Sequence, residues 1–293
     1  MKVKFITCIY SDLSGTEIGG RPSRGGHYQY SLLSLLKMTD ADFLCYTSDR
    51  EIERLQRFFY ESHGVSPQKL EFKVFDLRQT KYQELLLKYK DYESAKTGDR
   101  CIEIQWSKFG WWWLEDKSYD YYFWIDAGLS HCGLIPNKYL VGSDHPQGKY
   151  YESNLFNNDF LKNLVEDTEG KFLILGKDND RNYWSGTVNP KWYKNYQRKI
   201  HVIGGLFGGH KDLWDNVVTL FEDYAYKITP EERVHHEEVL MTVMWYNDPD
   251  LFVRKHFDIW WCPDNCPPGT NPKLFEENKS FYRILEEFNR IYE

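Results

Sequence analysis

The 293-residue chain has no uninterrupted apolar run approaching the ~18 residues that a membrane-spanning helix needs, so no span is expected. It has no Cys-x-x-Cys. Its six cysteines, Cys8, Cys45, Cys101, Cys132, Cys262 and Cys266, are scattered, and the one close pair, in "CPDNC", has neither that spacing nor a matching second pair, which argues against a zinc site. It has no basic excess either. Lys and Arg number 37 against 44 Asp and Glu, a net charge of −7 without a basic stripe, which disfavours a DNA or RNA partner. No internal repeat or low-complexity tract interrupts it. The opening "MKVKFITCIY" lacks the separate charged head and apolar segment of a secretory leader and reads as a first strand, so the expectation is a cytoplasmic protein with reduced thiols.

What the chain does have is aromatic bulk under a polar surface. Its 11 Trp, 22 Tyr and 18 Phe supply material for a core, while 28% charged residues and a mean hydropathy of −0.66 describe a globular exterior. The length suits one large α/β domain.

Along the chain, "VKFITCIY" (3–10), "DFLCYTS" (42–48), "LEFKVFDL" (70–77), "YYFWI" (121–125), "KFLILG" (171–176) and "KIHVIGGLFGG" (199–209) read as strands. Helical spacing appears at 28–38, 49–64, from about 81 through 113, at 211–227 and at 231–246. In the third of these, Ile102, Trp106, Phe109 and Trp113 share one stripe. Strand and helix alternate through the first half, which predicts a mostly parallel sheet flanked by helices.

The chemistry begins at "YYFWIDAGLSH". On a strand, Tyr122, Trp124 and Asp126 share one face and Phe123 and Ile125 the other. Both faces are apolar, so the strand is central, and ligands of parallel sheets bind beyond the carboxyl ends of such strands, where Asp126 lies. A carboxylate there either turns the chain by bonding the backbone of Gly128 or meets a ligand. The "GGLFGG" at 204–209 lacks the second glycine of a dinucleotide fingerprint and the Gly-Lys-Ser/Thr of a Walker A loop. It allows either close approach of backbone to a ligand, at Gly204 and Gly205, or a tight strand-to-helix turn. In "HHEEVLMTVMW", Glu237 falls on the helix face of Leu240, Met241 and Met244, while Glu238 is rotated by about 100°. An acid so placed is a cap or a functional carboxylate.

These segments together, "DYYFWIDAGLSH" with "WSKFGWWWLED" upstream and "HVIGGLFGG" downstream, resemble the HtrL/YibB-type proteins, which are similar to GT-A-fold glycosyltransferases. The resemblance covers most of the chain, to about His256. It implies one GT-A-like domain, with residues 1–128 as the nucleotide-binding half and 129–293 as the half for sugar and acceptor. It implies transfer of a sugar from a nucleotide-sugar, a UDP-sugar in first place, to a hydroxyl of a glycan or small-molecule acceptor. In that fold an aspartate motif, often Asp-x-Asp, holds a divalent metal and the donor diphosphate; here Asp126 is present, and Gly128 stands in place of the second acid. A histidine near the carboxyl end often completes the site, which points to His256 for Mn²⁺ or Mg²⁺, with Asp258 nearby and His131 and His210 as further candidates, unless His256 is a plain surface residue. Lys108 matches the basic residue near the donor, Arg21 and Arg24 lie in the first glycine-rich loop where the nucleotide is usually met, and Gly204 and Gly205 border the sugar. Glu237, ahead of Glu238, takes the place of the carboxylate that contacts the acceptor. Two other classes stay open: a non-catalytic nucleotide or glycan binder, which the missing second aspartate favours, and a DNA-base glycosyltransferase, which the acidic charge opposes.

Overall fold

The computed structural model describes residues 1–10, 28–29, 32–33, 35–36, 39–89, 102–127, 160–178, 200–232 and 234–256. Seven segments pair into one sheet: β1 (Val3–Ile9), β2 (Asp42–Thr47), β3 (Leu70–Val74), β4 (Tyr121–Ile125), β5 (Phe172–Asp178), β6 (Ile200–His210) and β7 (Phe252–His256). Their spatial order is β3-β2-β1-β4-β6-β5-β7. Six run parallel, and β6 runs against both of its neighbours, β4 and β5. The helices are α1 (Ile52–Gln56), continued by a π-helical stretch at Arg57–Ser62, α2 (Gln83–Tyr89), α3 (Ile102–Gly110), continued by a 3-10 turn at Trp111–Leu114, α4 (Phe160–Glu166), α5 (Lys211–Ile228) and α6 (Glu237–Asn247). The described positions between 28 and 36 are helical as well. This is the mostly parallel, helix-flanked α/β sheet that the sequence predicts.

The two faces of β4 build two cores, as the alternation of its side chains requires. Tyr122 and Trp124 join Ile6, Tyr46, Phe172 and Phe207 beneath α3, α5 and α6, whereas Phe123 and Ile125 join Phe5, Phe43, Leu173 and Leu206 with Leu55, Phe59 and Leu164 of the other helical layer. In the first core Trp111 is the hub. Its ring lies nearly parallel to Tyr46 at 4.6 Å, to Tyr10 at 6.3 Å and to Trp124 at 5.6 Å. Such ring pairs add roughly 0.5–1.5 kcal/mol each beyond their buried area.

α5 carries its buried residues Trp214, Val217, Val218, Phe221, Ala225 and Ile228 at helical spacing, and Trp214 Nε1 donates to the carbonyl of Tyr122 at 3.1 Å, which docks the helix on β4. Gly208 is required where β6 crosses β4. At φ +155°, a Cβ there would run into the Tyr122 carbonyl oxygen and lie 2.6 Å from Phe123 Cα.

Several expectations shift. Trp113 leaves the buried stripe: the 3-10 turn after Gly110 winds at about three residues per turn, so Trp111 and Trp112 point inward and Trp113 is 43% exposed. The helix expected from 231 starts at Glu237, because residues 234–236 stay extended, burying Val234 and presenting the His235 carbonyl to Trp106 Nε1 at 2.9 Å. The short elements α4 and β7 have too few residues to show a period. "GGLFGG" is no turn, since it lies inside β6, and α5 follows directly from His210, whose ring takes the Asp212 N–H.

No helix among the described residues is long and apolar enough to cross a membrane. Cys8 and Cys45 are free thiols. The remaining cysteines lie outside the described residues, as do Arg21, Arg24, Gly128, His131, Asp258 and the side chain of His256.

Candidate functional site

Asp126 follows the last residue of β4, and its N–H donates to the Gly205 carbonyl at 2.8 Å, closing the β4–β6 ladder. Its side chain shares a face with Trp124, two residues earlier, and that spacing brings the indole into bonding range: Trp124 Nε1 donates to Asp126 Oδ1 at 2.7 Å. Lys108 Nζ reaches the same oxygen at 2.9 Å. Both bonds fall on Oδ1, so Oδ2 takes none from a described residue, and the side chain is 41% exposed. The carboxylate ending a buried strand is thus oriented from below and open from above.

Lys108 lies on the buried face of α3, 5% exposed, with its ammonium 5.1 Å from the centre of the Trp124 ring. Its Nζ meets three acceptors: Asp126 Oδ1, Glu237 Oε1 at 2.7 Å and the Gly204 carbonyl at 2.9 Å. Two of these contacts are hydrogen bonds, to Glu237 and Gly204, and the third is the ion pair with Asp126. Burial alone would lower its pKa, but the two carboxylates outweigh burial and hold it above the usual lysine value.

The Gly204 carbonyl is available because β6 bulges. The β5–β6 register jumps between Ile174 and Leu175, from Phe207 to Ile203, so residues 204–206 have no registered partner on β5. Gly204 turns to side chains instead: its N–H donates to Glu238 Oε1 at 2.9 Å and its carbonyl accepts from Lys108. Nearby, the Val202 N–H donates to Thr242 Oγ1 at 3.2 Å, a second latch between β6 and α6. A bulge in an otherwise regular ladder re-aims backbone groups, and here it aims them at one cluster.

Glu237 opens α6 and is 2% exposed. Its Oε1 binds Lys108, while Oε2 is buried without a hydrogen-bond partner among the described residues. Leaving a buried acceptor unmet costs roughly 1–3 kcal/mol, more when charged. α3 holds the entry to this helix at two further points, Trp106 Nε1 on the His235 carbonyl and Gln105 Oε1 at 2.7 Å from His236 Nδ1.

The structure therefore brings Asp126, Lys108, Gly204, Gly205, Glu237 and Glu238 together beyond the carboxyl ends of the parallel strands. His210 lies at the opposite end of β6, beside Tyr121 at the start of β4, and is not part of this cluster. The contribution of Trp124 was not assigned from sequence, although its place two residues before Asp126 is the signal. The β6 bulge and Thr242 left no such signal. One lysine against Asp126 and Glu237 leaves the cluster net negative, before Glu238 is counted. Among the described residues, no three His, Cys, Asp or Glu side chains form a group able to hold a metal ion.

No family model matches the chain, and no curated protein matches it. Among solved structures it is similar to mouse xyloside xylosyltransferase 1 in its apo form, at 12% identity and a TM-score of 0.48, over 87% of this chain and 85% of that one. It is also similar to 4-diphosphocytidyl-2C-methyl-D-erythritol synthase from Anaerococcus prevotii, at 10% identity and a TM-score of 0.43, over 87% and 88% of the two chains.

Proposed function

We propose that the chain is a glycosyltransferase that moves a sugar from a nucleotide-sugar, in first place a UDP-sugar, to a hydroxyl of a glycan or other acceptor. On this reading it belongs with the HtrL/YibB-type proteins its motifs resemble and works in the cytoplasm. The observation that carries the reading is the oriented Asp126: one oxygen pinned by Lys108 and Trp124, the other open at the carboxyl end of a central parallel strand, with a buried glutamate on the same ammonium.

The chemistry follows from charge. As the glycosidic bond to the donor phosphate breaks, negative charge grows on the leaving diphosphate, and stabilising it lowers the barrier. A net negative cluster cannot do this alone. Mn²⁺ or Mg²⁺ fits the donor set here, because such hard cations accept one or two carboxylates and complete their shell with phosphate and water. Asp126 would hold the ion through its open oxygen, with His256 as a second ligand, and the ion would neutralise the diphosphate. Arg21 and Arg24 are assigned to the nucleotide, within residues 1–128, and the backbone at Gly128, Gly204 and Gly205 to the sugar. Glu237, or Glu238 beside it, is assigned to the acceptor hydroxyl, Glu237 bonded to the Lys108 ammonium and Glu238 to the Gly204 N–H.

The second reading is a binder of nucleotides or glycans without catalysis. It is favoured by Gly128, which stands where the aspartate motif has its second acid. A thermal-shift screen of nucleotide-sugars, with Mn²⁺ and with EDTA, separates the two. The transferase reading expects a UDP-sugar to stabilise the protein, by about 2.7 kcal/mol at a hundredfold excess over Kd, and to release UDP on incubation. Stabilisation by UDP without release from any sugar donor supports the binder, and indifference to every nucleotide sinks the transferase reading together with the resemblance behind it.

A further inference from the structure

We infer that Lys108 is the positioning residue of this site: its ammonium ties the Asp126 and Glu237 carboxylates to the Gly204 carbonyl and sets their spacing, and it does not contact the donor phosphates. The kinetic part of this inference rests on the glycosyltransferase reading; the geometric part does not. It departs from the sequence resemblance, which pairs Lys108 with the donor.

Three observations carry it. Nζ donates to Glu237 Oε1 at 2.7 Å and to the Gly204 carbonyl at 2.9 Å and is ion-paired with Asp126 Oδ1 at 2.9 Å, so a phosphate would have to displace one of three partners. Lys108 is 5% exposed while Asp126, on the same ammonium, is 41% exposed, so the aspartate and not the lysine faces the crevice. Withdrawing Lys108 from Glu237 would strand a 2%-exposed carboxylate whose other oxygen has no described partner, the arrangement that breaking a buried ion pair penalises most.

The third bond gives the clamp its reference point. Gly204 is backbone in a bulge latched to α6 by Glu238, so the ammonium is fixed to the sheet rather than floating between two acids. The two carboxylate oxygens are thereby kept within two hydrogen-bond lengths of one another. In the transferase this sets the distance between the group that meets the diphosphate and the group that meets the acceptor, and misplacement by about 1 Å at such a spacing is enough for a hundredfold loss of rate. Among the described residues, the charged and titratable groups near the ammonium are Asp126 just after β4, Glu237 of α6 and, less directly, Glu238 of α6 through Gly204 and the Cys8 thiol of β1.

The test uses the full chain with Lys108→Met and Lys108→Arg, reading UDP affinity by calorimetry with Mn²⁺ and turnover by UDP release at saturating donor. The clamp predicts that both variants bind UDP within about threefold of the wild type while kcat falls about a hundredfold. A tenfold loss of UDP affinity with kcat preserved at saturating donor would make Lys108 a phosphate ligand and overturn the inference. Should Lys108→Met fold poorly, Lys108→Met/Glu237→Gln decides by stability alone. Removing the stranded charge is expected to restore most of the lost Tm, and no restoration overturns the clamp. If the wild-type chain releases UDP from no donor, the glycosyltransferase reading fails, and the stability arm still decides the clamp.

Discussion

Gly204 and Glu237 occupy each other's space. A Cβ on residue 204 would overlap Glu237 Oε1 and come within 3.1 Å of Glu238 Cγ, so the carboxylate can pair with Lys108 only because residue 204 has no side chain. Gly204→Ala is therefore expected to push Glu237 off the ammonium. Overpacking of this kind costs about 1–3 kcal/mol, read as a lower urea midpoint, together with lost turnover. A variant as stable and active as the parent would contradict the arrangement.

Trp124→Phe keeps a ring against Trp111 and Phe207 but removes the N–H that orients Asp126. A hydrogen bond to a charged group contributes about 1.5–3 kcal/mol, so turnover, read as UDP release at saturating donor, should fall roughly tenfold or more while UDP affinity stays within about threefold. The comparison variant is Trp112→Phe, whose N–H goes to Asp215, away from the cluster. It should lose stability and keep turnover, and an equal loss of turnover in both would remove the special role of Trp124.

How much of this could be read from sequence differs by element. β4 was plain because both of its faces are apolar and it ends in a single acid, and Glu237 was plain because helical spacing put it on the apolar side of α6. The pairing of Lys108 with both acids joins residues 18 and 129 positions away, and no local period reports that. The antiparallel direction of β6 and its bulge were equally hidden, since a strand's pattern is the same read in either direction. The glycines gave only the hint that something approaches closely.

Glu115 gives a pH test independent of function. Its side chain is buried and accepts from Tyr46 OH at 2.7 Å, and burial raises its pKa above the ordinary glutamate value despite that bond and the neighbouring lysines. A folded pKa above the unfolded one means the favourable contribution is present in full below the unfolded value, near 4.5, and is lost as pH rises through the folded value. Glu115→Gln, which keeps an acceptor for Tyr46, should accordingly gain in Tm relative to wild type as pH rises through that window. A difference that does not change with pH, or changes the other way, would refute it.

Gly208 and Gly209 differ in what they can tolerate. Gly208 at φ +155° abuts the Tyr122 carbonyl, whereas the nearest atom to a Cβ on Gly209 is the Lys171 carbonyl at 3.2 Å. Gly208→Ala should cost several kcal/mol in urea unfolding and Gly209→Ala clearly less. The reverse order would mean that β6 pairs with β4 in another register.

The central claim is that the open oxygen of Asp126 serves transfer from a nucleotide-sugar, and UDP release by wild type and Asp126→Asn, measured side by side with UDP-sugars and Mn²⁺, tests it most directly. The account predicts release by the wild type and a loss of about a hundredfold or more in the variant with its Tm little changed. Equal release by both proteins would contradict it.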